Sequence, residues 1–382
     1  MKEILERFEE IAADPGAYAV RWKTDTGRPV VGTFCSYAPE EIIYAAGALP
    51  FRMIGSGAEG GSDAYLQSYC CSVVKNTLDD ALSGSLDFLD GVVFPHTCDS
   101  VQRLSDIFRL NLTGFFHTDV IMPANLGTKS AEAYTVSVLE RMVRDLEKKV
   151  GTRIAKDDLS GAARVFNRIR RGLKRISRAA AENRIHIRSR NLHTISKAVM
   201  SMDPGEAAEL LEQLCTFIQE EPVQDSGRLI RIGLTGSVCT APSVYNTIEQ
   251  AGGFVVFDDF CTMDRYFDFT VDESAEPLTG IARRYLEKAV CPCKHAGLYS
   301  RGERISRRAC ELDAMGVIFL LLKFCDPHAF DYPYIRDMLE KRGIKSMVFE
   351  LDDEQSVHAQ FKTRCGAFME MLQDMDRQQP DV

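Results

Sequence analysis

Nine residues, Gly316 to Phe324 (GVIFLLLKF), are almost wholly apolar and lead straight into Cys325-Asp326-Pro327-His328. So short and continuous a run marks a strand buried on both faces, which is the habit of parallel sheets. Pro333 is expected to open the next helix, where its fixed φ is suited and its missing N–H is not missed. In a doubly wound sheet the loop after a strand's carboxyl end receives the ligand. A thiol at Cys325 therefore sits where such an architecture does chemistry. The pattern recurs: Val30 to Phe34 runs into Cys35, Gly91 to His96 precedes Cys98, Leu229 to Ser237 precedes Cys239, and Phe254 to Asp259 precedes Cys261. Five cysteines thus follow apolar β-type runs.

A chain of 382 residues exceeds one compact core. The fold class read from it is α/β, with two doubly wound parallel-sheet domains and a helical middle region. The expected divisions are an N-terminal α/β domain with a helical leader (1–122), a helical region (123–227) and a C-terminal α/β domain (228–382). The leader runs from Lys2 to Ala13 and is stopped by Asp14-Pro15-Gly16. Helices are expected over Glu40 to Gly47, Ser72 to Leu82 and, capped by Asp99 and Ser100, on to Phe108; strands are expected at Leu49 to Ile54 and Asp119 to Met122. From Ser130 to about Glu221 strand signals vanish, and Ala131 to Lys149 and Ala162 to Ala181 read as long helices. The second carries Phe166, Ile169, Leu173, Ile176 and Ala180 on one face. Its other face holds Arg164, Arg168, Arg170, Arg171, Lys174, Arg175 and Arg178, a solvated helix face or an anion-binding surface.

The net charge of -9 argues against a general nucleic-acid binder. The opening MKEILERFEEI lacks the uninterrupted apolar core of a secretory signal, and no apolar run is long enough for a bilayer, so a cytoplasmic location without membrane attachment is expected. In a reducing compartment the 12 cysteines point to metal or redox chemistry rather than disulfides. Cys215, Cys310 and Cys365, on helical stretches, read as small packing groups, and of the adjacent Cys70 and Cys71 one is expected to pack. Gly55 to Gly60 has the form G-x-G-x-x-G, but no helix opens on its third glycine, so it reads as a loop. Cys291-Pro292-Cys293-Lys294-His295 has the spacing of half a zinc site with no second half.

The block Tyr69 to Phe108 (YCCSVVKNTLDDALSGSLDFLDGVVFPHTCDSVQRLSDIF) and KFCDPHAFDYP (Lys323 to Pro333) resemble the 2-hydroxyacyl-CoA dehydratase family. That family also contains the ATP-dependent benzoyl-CoA reductase components and the double-cubane cluster proteins. The likeness extends through Phe34 to Pro50, Asp258 to Asp268, CPCKH and Val348 to Gln355. It implies a [4Fe-4S] cluster held by three cysteines, which by motif fall on Cys71, Cys98 and Cys325. It implies as partners a related second subunit and a separate activator that alone uses ATP, with an acyl-CoA as substrate. A single low-potential electron would form a ketyl radical from the thioester and expel the 2-hydroxyl, or reduce an aromatic ring. Asp99, Asp326 and Ser72 adjoin the implied ligands and are candidates for hydrogen bonds to them, or simply for helix caps.

Cys35, Cys261 and Cys293 (or Cys291) add a second set of thiols, which would suit a double-cubane cluster in a homodimeric reductase of small molecules. A third reading is a scaffold or metal-binding protein that kept the fold without the chemistry. His96, His295 and His328 lie near the motif loops without a confirming partner in the sequence, so no acid–base residue is assigned.

Overall fold

A computed structural model describes residues 1–57, 60–219, 229–239, 242–288, 291–351 and 358–378. It contains two four-stranded sheets, both wholly parallel. The first holds β1 (Val30–Thr33), β2 (Leu49–Arg52), β3 (Gly91–Pro95) and β4 (Phe116–Val120) in the order β2-β1-β3-β4. The second holds β5 (Ile230–Gly236), β6 (Gly253–Asp259), β7 (Gly316–Leu322) and β8 (Lys345–Leu351) in the order β6-β5-β7-β8. Each order reverses direction after its first strand, as a doubly wound sheet requires.

The long apolar run after Met315 becomes β7, buried at every position, as are β1, β3 and β6. The edge strand β8 instead mixes exposed, half-buried and buried residues, because one of its edges has no partner strand to cover it. The same device spaces both sheets. A Cβ on Gly91 would stand 2.2 Å from the ring of Phe116, its partner on β4, and a Cβ on Gly233 would stand 2.2 Å from Phe257 of β6. Each glycine gives an aromatic ring room to lie flat on the neighbouring strand.

The chain forms two compact units. The first comprises Met1–Lys174, Ile195–Cys215 and Phe267–Ala296, and the second Arg175–Thr194, Thr216–Tyr266 and Gly297–Val382. The core of the first joins Val31 and Val93 to Ile42, Ile43, Leu139, Met142 and Leu146, with Ile281 and Tyr285 from the late segment. That of the second joins Phe254, Phe257, Val317 and Phe319 to Ile305, Ile335 and Leu339. Burying each such aliphatic or aromatic side chain contributes about 1.5–3 kcal/mol.

Several local expectations shift. The leader helix runs from Lys2 to Ala13 and stops at Asp14 as expected, but Asp14 also caps an unforeseen second helix, Pro15–Thr26, by accepting from Ala17 N at 2.8 Å. β4 begins at Phe116, three residues before the expected strand at Asp119. Pro333 lies inside the helix Asp326–Glu340, and the proline of its first turn is Pro327. That helix therefore opens directly on Cys325, because Pro327 meets the φ demanded of a first turn six residues earlier. Likewise Cys98, rather than Asp99, is the cap of the helix Asp99–Asn111. Within the glycine loop, Ala58 and Glu59 lie outside the described residues, as do Asp352 to Gln355 of the tail motif. No helix among the described residues is long and apolar enough to cross a membrane.

Candidate metal centre

Parallel strands all end on one side of their sheet, and the cysteines follow those ends. Cys35 lies beyond β1, Cys98 beyond β3, Cys239 beyond β5, Cys261 beyond β6 and Cys325 beyond β7. Cys98 and Cys325 occupy equivalent places, after the third strand of each sheet in chain order and at the N-cap of the next helix. Cys71 is also an N-cap, of the helix Ser72–Leu82, which packs against the helix that Cys98 caps. A helix N-terminus directs unsatisfied N–H groups and the positive end of its dipole at such a thiol, favouring the thiolate that a metal needs.

In the first unit Cys98 and Cys291 both lie within hydrogen-bonding reach of Cys293. The Cys98 thiol is pushed below its ordinary range chiefly by Cys293, with further help from the N–H groups of Val101 and Ser100, while burial opposes the shift. Cys293 is pushed far up by Cys291, Cys98 and burial, so it keeps the proton. Cys35 joins this group: Thr97 Oγ1 donates to its Sγ at 3.7 Å. Two buried ammonium groups serve the same loops. Lys294 Nζ donates to Met122 O at 3.0 Å, and its affinity for a proton is lowered by burial but raised by Cys291, Cys35 and Cys293. Lys288 Nζ donates to Ser36 O at 2.7 Å and lies 4.5 Å above the Tyr37 ring. The CPCKH loop is fixed by His295 N to Ala124 O at 2.7 Å and Leu126 N to His295 O at 2.9 Å.

In the second unit Cys325 follows Phe324, whose φ of 65 is left-handed and unfavourable for a side chain with a Cβ. The turn is held by Cys325 N to Leu322 O at 3.0 Å and by Ala329 N to Cys325 O at 3.1 Å. One helical turn on, His328 is buried with Nε2 3.5 Å from Arg265 Nη1. Burial and the charges of Arg265 and Arg301 hold it well below the usual histidine range, hence neutral. Arg265 ties the strand ends together, donating to Gly236 O, to Ser237 O at 3.1 Å and to Asp259 O at 2.9 Å. Cys261 N reaches Ser237 O at 3.5 Å in the same turn.

The two sets of thiols are thus distributed as follows. Cys71, Cys98, Cys35 and Cys293 belong to the first unit, and Cys325 and Cys261 to the second. Cys98 of one set meets Cys293 of the other. Cys70 is the packed member of its pair, being 2% exposed. Cys215 and Cys365 are buried as expected, the thiol of Cys365 pushed up to about 11 by burial, but Cys310 is exposed on the outer face of its helix. The basic helix face is largely committed within the chain: Arg168 pairs with Glu212 at 2.6 Å, Arg171 with Glu273 at 3.3 Å and Arg178 with Glu182 at 2.7 Å, while Arg170 is buried against Glu41. His96 has a partner that the sequence hid, Asp119 Oδ1 at 2.8 Å. The C-x-C of CPCKH marks Cys291 and Cys293 in the sequence, whereas no local motif marks Lys288 or Arg265 as supports of the thiol loops.

A thiol lowered at a helix N-terminus, with further thiols and a buried ammonium group in the neighbouring loops, is donor chemistry that fits an anionic iron–sulfur cluster. Among the described residues no three His, Cys, Asp or Glu groups are arranged to hold a single metal ion. In a cubane each thiolate serves a different iron, so a single-ion arrangement is not what its ligands require.

Two doubly wound sheets with cysteines at their strand ends define an α/β protein that presents thiols from distant parts of one chain. The chain belongs to the 2-hydroxyglutaryl-CoA dehydratase D-component family, whose model matches residues 35–372. It is 27% identical to the (R)-phenyllactyl-CoA dehydratase beta subunit of Clostridium sporogenes, over 96% of this chain and 97% of that protein. It is 28% identical to the beta subunit of lactoyl-CoA dehydratase from Anaerotignum propionicum (97% and 99%) and 26% identical to a benzoyl-CoA reductase component of Thauera aromatica (97% and 98%). The family is one of enzyme components, dehydratases being lyases and the reductase an oxidoreductase.

Proposed function

We propose that this chain is the iron–sulfur subunit of a 2-hydroxyacyl-CoA dehydratase, or of an ATP-dependent aryl-CoA reductase, working in the cytoplasm with a related second subunit and a separate activator. The observation that carries this reading is the equivalent placement of Cys98 and Cys325 as helix caps after the third strand of each sheet, with Cys71 capping the helix packed beside the first. Cys71, Cys98 and Cys325 would hold a [4Fe-4S] cluster. When bound, the cluster would supply low-potential electrons one at a time: a single electron, afterwards returned, would serve the loss of hydroxide from C2 and a proton from C3 of a CoA thioester, in sum water, whereas reduction of an aromatic ring would take two electrons and two protons. The helix N-terminus behind Cys98 favours its thiolate, the buried Lys294 acts on Cys291, Cys35 and Cys293 in the same loops, and Arg265 fixes the strand ends of the second unit. Alanine at Cys98 or Cys325, in chain purified without oxygen, is expected to remove most of the iron and sulfide from a native content of about four irons. Iron unchanged in both variants would overturn the assignment.

A second reading is favoured by Cys293, Cys291 and Cys35 standing with Cys98: a double-cubane cluster in a homodimeric reductase. It calls for about eight irons per chain, with roughly half lost on removing Cys35 or Cys293.

A further inference from the structure

Five arginines are buried among the described residues: Arg52, Arg170, Arg265, Arg284 and Arg301. Four are compensated. Arg170 meets Glu41, Arg284 meets Phe269 O at 3.2 Å and Glu41 at 3.7 Å, Arg265 meets three carbonyls, and Arg301 meets Asp331 and Asp259 at 2.5 and 3.1 Å. Arg52 differs. It is 4% exposed, its Nε and Nη1 meet no acceptor, and no carboxylate among the described residues lies in ion-pair reach. A buried cation that no anion compensates is strongly destabilising. A water could satisfy an N–H group, yet it would leave the charge itself unbalanced.

The position gives that cation a use. Arg52 is the last residue of β2, paired in register with Thr33 at the carboxyl end of β1, on the side of a parallel sheet where ligands enter. Its backbone is fixed by Arg52 N to Met200 O at 3.0 Å. The loop after it turns through Gly55 and Gly57, both left-handed, and a Cβ on Gly55 would stand 2.5 Å from Asn76, so the glycine lets the loop lie against the helix Ser72–Leu82.

We propose that Arg52 is the anchor of a binding site for a small carboxylate. A single positive charge with no second cation paired to it balances a monoanion, whereas a phosphate dianion would keep a buried negative charge of its own. The test is thermal melting of the full chain at constant ionic strength in chloride, with acetate or lactate added in one arm and inorganic phosphate in the other. Either carboxylate is expected to raise the melting temperature by several degrees, and phosphate to raise it little. Arg52→Met should melt higher than the native chain in carboxylate-free buffer, because it removes an unbalanced charge, and should lose the carboxylate response. Arg52→Lys should retain part of that response. A purely structural arginine would give the opposite sign, Arg52→Met melting lower with the response intact. That result, a shift by phosphate equal to that by carboxylate, or no shift at all, would overturn the proposal. The readout does not involve iron, so it stands or falls separately from the cluster assignment.

Discussion

The two sheets share one strand order and each carries a helix-capping cysteine after its third strand in chain order, but two buried carboxyl groups, Glu41 in the first unit and Asp258 in the second, are held in opposite states. In the first unit Glu41, wholly buried, faces Arg170 and Arg284; burial alone would raise its pKa, yet the two guanidinium groups draw it down to about 2. In the second unit Asp258, equally buried, faces the hydroxyl of Tyr245 and the N–H of Phe260, and burial pushes it well above the usual carboxylate range. Next to it Asp259 faces Arg301 and Arg265 and is held low. The depth of burial is the same in all three. The partner decides whether the proton stays.

The strongest way to break this contrast is to remove the anion from the first unit. Glu41→Ala leaves Arg170 and Arg284 buried without their common partner, and a loss of about 3–5 kcal/mol is expected from denaturant unfolding. Arg284 is already pushed down by burial and by Arg170, so Glu41 is the group that keeps both cations tolerable. Tyr285, whose hydroxyl bonds Ala38 O at 2.8 Å and Glu41 at 3.2 Å, would lose a partner in the same variant. A loss below about 1 kcal/mol would show that the site relaxes to admit water.

A smaller effect follows from pH. The folded pKa of Glu41 lies below its unfolded value of 4.5, so the carboxylate stabilises the fold fully above that value. The contribution declines as pH falls from about 4.5 and is lost once it passes about 2. Stability measured across that window should fall in the native chain, and Glu41→Gln should show a shallower slope there. An unchanged slope in the variant would place the acid sensitivity elsewhere.

How much of this could be read from residues alone differs by kind of contact. The strands were legible because parallel sheets demand continuous apolar runs, and Gly316 to Leu322 and Phe254 to Phe257 supply them. Cys35, Cys98, Cys239, Cys261 and Cys325 were legible as strand-end thiols because each follows such a run, whereas Cys71, Cys291 and Cys293 follow none. The second helix after Asp14 was not, since Pro15 serves as readily to open a helix as to end one. Nor was the cap at Cys325, where two prolines six residues apart both suit a first turn. The buried charge networks were hidden for a different reason. Glu41 and Arg170 stand 129 positions apart, and Arg170 shares a helix face with arginines that remain at the surface. Periodicity reports which face is apolar, not which of several arginines meets an acid from another element.

The finest test sharpens the contrast from the other side. Asp258 has a folded pKa raised above its unfolded value, so the folded chain holds a proton that the unfolded chain releases. Its contribution is complete below the usual carboxylate range and erodes as pH rises above about 4 toward the folded value. Asparagine at this position keeps a neutral group, its oxygen accepting from Phe260 N–H and its NH2 donating to the Tyr245 hydroxyl oxygen as the protonated acid's O–H does, without the proton equilibrium. Asp258→Asn is therefore expected to match the native chain near pH 4 and to exceed it at neutral pH by about 1 kcal/mol. The sign is opposite to that of Glu41→Gln, although both changes turn a buried acid into its amide. A variant that loses stability at neutral pH would mean that Asp258 is ionised in the fold, and that it shares the state of Glu41 and Asp259.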